Sequence, residues 1–196
     1  MQLPKDYEQT QAVEGSGGSR RLPADGYVCK VCDVKETKTV DGRPMLELWL
    51  DVFEGPYKEF FAQQYSAAIR YGNSNPKWRC IYRQPLIRKD GTTNPCFKGM
   101  ITAVSDSNPN AVIVHQGNLN VEAMRNCVVG CVFKEEHSVW QSREIIRAVP
   151  DSVIDVKKIR KGEFKVPAPK LLTPEEKAQL QGFTTMTAEA DDTLPF

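Results

Sequence analysis

Alternation of apolar and polar residues predicts β-strands in the first third of the chain. The clearest example is the run 45–53, where every second residue is apolar: Leu46, Leu48, Leu50 and Val52. Because successive side chains of a strand point to opposite faces, these residues form one apolar face and Trp49 lies on the other. A run rich in Val and Cys, 27–34, precedes this segment, and the aromatic run 57–65 follows it. We therefore predict three consecutive strands in an antiparallel meander.

Apolar residues at helical spacing come next. In the segment 97–105, the apolar residues at 97, 100, 101 and 104 share one helix face, and Asn108-Pro109 stops the pattern. We predict a helix there, and a second short helix over 120–126.

Two further runs, 127–136 and 140–149, are predicted to be closing strands linked around His137-Ser138. Trp140 begins the last strand, and we expect it to be a core residue. The order strand, strand, strand, helix, strand, strand describes an oligonucleotide/oligosaccharide-binding fold. The predicted fold class is mainly β: an OB-fold-like five-stranded antiparallel barrel with an inserted helix.

Composition divides the chain into three parts. Residues 1–21 contain a Gly-Ser cluster and little apolar content, which predicts a flexible N-terminal arm. Residues 22–165 form the predicted barrel domain, with a polar connection over 151–162. Residues 166–196 are rich in Pro, Thr, Glu and Gln and are predicted to be a disordered acidic tail. Within this tail, the sequence that begins at Thr173 has a helix N-cap and an acidic first turn, so one or two helical turns are expected.

The formal net charge is +1, from 26 basic and 25 acidic residues, but the middle of the chain is basic and its end is acidic. No apolar stretch reaches the length of a membrane span, and the first residues lack the apolar core of a signal peptide. We expect a cytoplasmic protein that does not bind membranes.

Six cysteines in an intracellular chain indicate thiols rather than disulfides. The pairs Cys29/Cys32 and Cys127/Cys131 raise the question of a zinc site. Both pairs lie in predicted strands, and because residues three apart in a strand point to opposite faces, Cys29 is separated from Cys32. We therefore expect buried thiols and no bound metal or cofactor.

The segment 57–89 combines seven basic residues and a single acid with seven aromatic residues. Basic side chains pair with phosphates and aromatic faces stack on unpaired bases, so this composition is typical of a single-strand binder. Aromatic residues in strands are more often core than ligand platform, and we expect about half of these to be buried, including Phe60 and Phe61. The candidate DNA-binding residues are Trp49, Tyr65, Arg70, Tyr71, Lys77, Trp78, Arg79, Tyr82, Arg83, Arg88 and Lys89.

Catalytic motifs are not evident. The two histidines, His115 and His137, lack neighbouring residues at metal-ligand or nucleophile spacing, and no Gly-rich phosphate loop is present. We expect that the protein is not an enzyme.

The last six residues have the chemistry of a ligand for another protein. Two carboxylates precede an apolar run that ends in Phe at the chain's own α-carboxylate. A partner with an apolar pocket and a basic rim can anchor the Phe and attract the acidic charges. The predicted protein-interaction tip consists of Asp191, Asp192, Leu194, Pro195 and Phe196.

This ending resembles the Asp-Asp-x-(Leu/Ile)-Pro-Phe tip of bacterial and phage single-stranded DNA-binding proteins. The segments 22–30, 53–57, 97–104 and 159–167 also resemble those of a group of phage replication-module proteins. The resemblance covers most of the chain and is weaker to the bacterial housekeeping protein, so we expect a monomer or dimer rather than its tetramer.

The resemblance implies a phage protein in the bacterial host cell that coats and protects single-stranded DNA during replication or recombination. Its tip would recruit helicase, primase, nuclease or mediator proteins. Two alternatives remain open: an annealing or recombination-mediator protein, and a protein-binding adaptor without DNA affinity.

Overall fold

The computed structural model describes residues 21–141, 143–178 and 180. In chain order the elements are β1 (Gly26–Lys38), β2 (Pro44–Val52), α1 (Phe60–Arg70), β3 (Ile81–Pro85), α2 (Pro95–Ser107), β4 (Val114–His115), β5 (Asn118–Leu119), a 3-10 helix (Glu122–Met124), β6 (Val128–Trp140), β7 (Arg143–Ile154) and α3 (Val156–Lys161).

The main sheet has five antiparallel strands in the order β3-β2-β1-β6-β7. The long strand β1 pairs with β6 through Gly26–Lys30 and with β2 through Cys29–Lys38, with a bulge between Val31 and Asp33. The edge strands β3 and β7 come within contact distance of each other. With α2 between β3 and β6, this arrangement is the predicted mainly β, OB-like order with an inserted helix.

The predicted inward face of β2 is confirmed. Its four alternate apolar residues are all buried: Leu46, Leu48, Leu50 and Val52. Trp49 lies on the opposite face, which is half-exposed. Phe60 and Phe61 of α1 are also buried, as expected, and Phe61 stacks on Phe133 of β6 with ring centroids 6.2 Å apart. The core therefore lies inside the sheet and extends to α1 at one end.

The predicted third strand, 57–65, is wrong because this segment begins α1. Ala62, Gln63 and Gln64 favour a helix, and its first turn receives an unusual cap from the sheet. The buried carboxylate of Asp51 accepts hydrogen bonds from the backbone N–H groups of Phe61 (2.9 Å) and Ala62 (3.1 Å). The third strand is instead β3, which has only five residues.

The predicted helix at 97–105 is confirmed as α2. The Asn94 side chain accepts from the N–H of Cys96 (3.0 Å), Pro95 occupies the first turn, and the inward face is buried. The short helix expected at 120–126 is the 3-10 helix.

The closing hairpin is longer than predicted. β6 continues through His137-Ser138 to Trp140, which pairs with Arg143, so the chain reverses after Trp140 rather than at the predicted link. Trp140 is 62% exposed at this tip, and the prediction that it is a core residue is wrong. The start of the predicted connection 151–162 belongs to β7, and α3 follows with Asp155 as its N-cap.

The segment predicted to begin the tail contacts the sheet. Lys170 forms a parallel bridge with Glu136, its N–H donating to Glu135 O and its O accepting from His137 N–H, each 2.8 Å. Leu172 is buried. A helical turn follows Thr173, as predicted, where Thr173 and Glu176 form a reciprocal capping box. The N-terminal arm up to residue 20 and the end of the tail lie outside the described residues.

Two glycines allow α3 and the following segment to lie close to the sheet. A Cβ at Gly130 would be 2.6 Å from Ile159 of α3, and one at Gly26 would be 2.5 Å from the ring of Phe164. The outer side of the β1–β6 pair is therefore covered.

Among the described residues, no helix has both the length and the apolar character that a membrane span requires.

Candidate nucleic-acid interface

An aromatic cluster lies on the outward face of β2. Trp78, from the loop before β3, stacks on Trp49 with ring centroids 6.4 Å apart and an interplanar angle of 16°, and Tyr65 of α1 lies 5.8 Å from Trp78. The Lys35 ammonium is 3.9 Å from the centre of the Trp49 ring, a cation–π distance. The structure thus brings together three of the predicted stacking residues and a cation that sequence reasoning missed.

Packing within this cluster limits what each ring can offer a ligand. Trp78 donates its indole N–H to the backbone O of Leu50 (3.0 Å), which ties the loop to β2. The indole N–H of Trp49 is buried and has no hydrogen-bond partner within the described residues. Trp49, Tyr65 and Trp78 are each half-buried, so they present ring edges and partial faces rather than free platforms.

The outward face continues with a row of charges. Cross-strand pairing places Glu47 of β2 between Lys35 of β1 and Arg83 of β3. Arg83 Nε lies 2.7 Å from Glu47 Oε1, and its side chain is half-exposed. This row lies next to the aromatic cluster because Trp49 is two residues along β2 from Glu47.

Tyr82 was predicted to stack on bases, and this prediction is wrong. Tyr82 and Gln84 are the inward residues of β3, whereas Arg83 between them points outward. Only 8% of Tyr82 is exposed, its hydroxyl donates to Gln84 Oε1 (2.9 Å), and burial raises its pKa to about 12. Tyr82 is a core residue.

The remaining predicted basic residues are exposed, and none forms an ion pair within the part of the chain described: Arg70, Lys77, Arg79, Arg88 and Lys89. Arg70 is the last residue of α1, and the other four lie at the two ends of β3. Lys77 and Arg79 precede it, and Arg88 and Lys89 lie in the loop that follows it. Arg43, in the loop between β1 and β2, donates to Ile87 O (2.9 Å), so the two loops at this second end are joined.

Within the described residues, two aromatic side chains are more than half exposed. Tyr71, at the C-terminal end of α1, is 91% exposed, as expected for a stacking residue. The second is Trp140, which the sequence analysis assigned to the core.

Trp140 belongs to a basic face of the β6–β7 hairpin. Arg143 is its cross-strand partner, and Arg147 lies four residues farther along β7, on the same face. Both arginines are exposed, and Arg147 donates to Ser138 Oγ (3.2 Å). A Trp followed by two Arg on one side of a hairpin is visible in the sequence only when the turn is placed at 141–142.

The cysteines do not form a shared site. Cys29 is buried and Cys32 is exposed, so the two lie on different faces as predicted, but the expectation of a buried thiol is wrong for Cys32. Burial raises the pKa of the Cys29, Cys80 and Cys131 thiols, which keeps them protonated. The described residues contain no group of three or more His, Cys, Asp or Glu side chains arranged to hold a metal ion.

The predicted interaction tip, 191–196, lies outside the described residues. Comparison with protein-family models gives no match, and comparison with curated proteins gives no significant relative.

Proposed function

We propose that this chain binds single-stranded DNA without catalysis and recruits replication or recombination proteins through its acidic C-terminal tip. The bound strand lies on the outward face of β1, β2 and β3 and extends to the β6–β7 hairpin. In the phage setting that the sequence resembles, the protein coats and protects exposed single strands.

The observation that carries this proposal is the juxtaposition of rings and unpaired cations around β3. The cluster of Trp49, Trp78 and Tyr65 borders exposed Lys77 and Arg79. Unpaired basic side chains bind the phosphates and release the counterions condensed on the nucleic acid. Adjacent rings hold the bases by stacking. Neither contact reads sequence, so the expected binding is non-specific.

The fold supports the same placement. In OB-folds, oligonucleotides bind across the second and third strands and the loops that flank them. Here those elements are β2 and β3, the loop 39–43 and the β6–β7 hairpin, where Trp140, Arg143 and Arg147 provide a second aromatic and basic surface.

A titration with dT oligomers tests the DNA-binding half. The measurement is the affinity of the full chain between 50 and 300 mM salt, roughly the range in which phosphate contacts lose most of their strength. Affinity should fall steeply with salt. The double variant Lys77→Gln/Arg79→Gln should bind more weakly and lower the slope of log K against log salt by about 1.4, from about 0.7 per phosphate contact.

The matched control is Lys157→Gln/Lys158→Gln, which removes two exposed cations from α3 on the covered side of the β1–β6 pair. Its salt slope should remain close to that of the wild type. Equal affinity for single- and double-stranded DNA, or the same slope in both variants, would refute the proposed surface. A strand-annealing assay separates coating from an annealing activity, and absence of any DNA affinity would favour the adaptor.

Recruitment is tested separately. Deletion of Phe196 should abolish capture of replication proteins and leave dT affinity unchanged or higher. Unchanged capture would refute this half and leave DNA binding standing.

A further inference from the structure

His137 lies between two carboxylates on the face of the β6–β7 hairpin opposite Trp140. Its Nδ1 is 2.6 Å from Glu144 Oε1 and its Nε2 is 2.9 Å from Glu135 Oε1. Glu135 shares β6 with the histidine, whereas Glu144 lies on β7, so the ring joins the two strands. The His137 side chain is only 14% exposed.

This geometry favours a charged ring. A neutral imidazole has one N–H donor, whereas imidazolium has two, and ionised carboxylates only accept hydrogen bonds. With a carboxylate oxygen at both nitrogens, the neutral ring would turn a lone pair toward one of them. Imidazolium satisfies both contacts, and the two carboxylates accordingly raise the pKa of His137 above its ordinary value of 6.5.

Among the other charged groups near the ring, Glu136, Lys170, Arg147 and Arg21 make contacts elsewhere, whereas Lys177 shares a cavity with His137. On β6, Glu136 is 2.5 Å from Lys170 Nζ of the crossing segment 169–172. Lys177 lines the same cavity of about 340 Å³ as His137 and Glu144, and on β7 Arg147 donates to Ser138 on the opposite face. The Arg21 guanidinium donates to the backbone O of Ile146, the cross-strand neighbour of His137.

His137, Glu135 and Glu144 form a clamp in the part of the hairpin that extends beyond the pairing of β6 with β1. The ladder of β6 with β1 ends at Val132, the Phe133 N–H donates to Asp25 O (2.8 Å), and farther along this edge of β6 Lys170 forms its bridge with Glu136. Glu144 is one residue from Arg143, which pairs with Trp140. A bond from His137 to Glu144 therefore fixes the last turn of the hairpin from which Trp140 projects.

We propose that His137 is a positioning residue: its imidazolium, held by Glu135 and Glu144, orients the Trp140 tip, and proton loss releases the tip and weakens DNA binding. The DNA-binding consequence rests on the proposed function, whereas the clamp itself does not.

The direction of the pH dependence follows from linkage. A histidine whose pKa is raised by folding contributes stability that is fully present below its unfolded pKa, near 6.5, and is lost as the pH rises through the folded pKa. The tip should therefore be ordered at pH 6 and become looser as the pH rises through the raised pKa of His137.

The test compares dT affinity of the full chain from pH 6 to pH 9 at constant ionic strength. Wild-type affinity should fall roughly three- to tenfold over this range, as Trp140 stacking is lost. His137→Gln, which does not titrate, should give a flat profile near the wild-type value at pH 9. His115→Gln, which alters the other, exposed histidine, should keep the wild-type profile.

Trp140→Ala tests whether His137 acts by positioning Trp140 or by contacting a phosphate directly. This variant should bind weakly at every pH and lose the pH dependence, although NMR should still find the His137 pKa raised. A wild-type pH profile in either His137→Gln or Trp140→Ala would overturn the proposal.

A second measurement does not involve DNA. The indole N–H resonance of Trp140 should show increased mobility as His137 titrates in the wild type and no such change in His137→Gln. If the protein binds no DNA but Trp140 still becomes more mobile as His137 titrates, the proposed function is refuted and the clamp is retained. Unchanged mobility through the titration would overturn the clamp.

Discussion

Asp51 links a strand to a helix through one carboxylate. The alternation along β2 places Asp51 on the same face as Trp49, opposite the core, where a charged side chain is normally solvated. Instead it is buried and accepts from three backbone N–H groups: those of Val52, Phe61 and Ala62. Glu59, the residue before α1, provides no side-chain cap, so the orphan N–H groups of the first helical turn depend on Asp51.

Replacing Asp51 should therefore destabilise the fold. Asp51→Ala leaves buried N–H donors without an acceptor and should lower the free energy of unfolding by about 2–4 kcal/mol, the combined cost of a lost cap and unsatisfied donors. Urea denaturation measures this change. The control Asp106→Ala, at an exposed position of α2, should remain within about 0.5 kcal/mol of the wild type, and an equally small effect of Asp51→Ala would contradict the capping role.

The exposure of individual site residues could be predicted from the sequence at some positions and not at others. The exposure of Tyr71 was foreseeable because polar and Gly residues follow it. Tyr82 and Trp140 were assigned the wrong environments because exposure depends on strand register and on where a hairpin turns. Alternation fixes which residues share a face, but it does not say which face is covered when a strand such as β3 is short.

At the level of elements, the close contact between α3 and the sheet depends on Gly130. A Cβ there would lie 2.6 Å from Ile159 Cγ1 and 2.9 Å from the backbone O of Ile154. Gly130→Ala should therefore lower the free energy of unfolding by about 1–3 kcal/mol, as other overpacked substitutions do. Gly99→Ala is a matched control, since nothing lies within 4 Å of its Cβ position in α2 and the substitution should stabilise by roughly 0.5–1 kcal/mol.

Thermal or chemical denaturation of both variants measures these changes in the free energy of unfolding. Part of the loss in Gly130→Ala should be recovered by Ile159→Ala in the same chain, because shortening that side chain removes one of the two clashes. Equal stability of the two glycine variants would show that α3 can move away without cost.

Strongly patterned elements were predictable from sequence. β1, β2 and α2 were identified because each presents a continuous apolar face over most of its length. The strand prediction for 57–65 follows from the high strand propensity of its aromatic residues, whereas the helix is capped by Asp51, ten residues before Phe61 and in a different element. The contact of Lys170 with β6 was missed for the same reason, since a polar segment can complete a strand edge through its backbone alone.

At the scale of the whole molecule, the net charge of +1 is the sum of an acidic C-terminal end and a basic remainder of the chain. Residues 181–196 contain Glu189, Asp191 and Asp192 and no basic residue, so removing them changes the formal charge from +1 to +4 (26 basic and 22 acidic residues remain). This truncation should leave dT affinity unchanged or higher, because the acidic groups compete with phosphates for basic side chains. Anisotropy titration at low salt measures it, and a marked loss of affinity would contradict a role of the tail in recruitment alone.

The position of β1 in the sheet has a consequence for synthesis. Gly26 pairs with Val132, roughly 100 positions later, so the centre of the sheet depends on a contact of high sequence separation. As the chain emerges from the ribosome, β1 can form a hairpin with β2 early, but its other edge stays open until β6 has been made. The nascent amino-terminal half is therefore the stage most exposed to wrong strand pairing, and folding should be completed only after translation has passed β6.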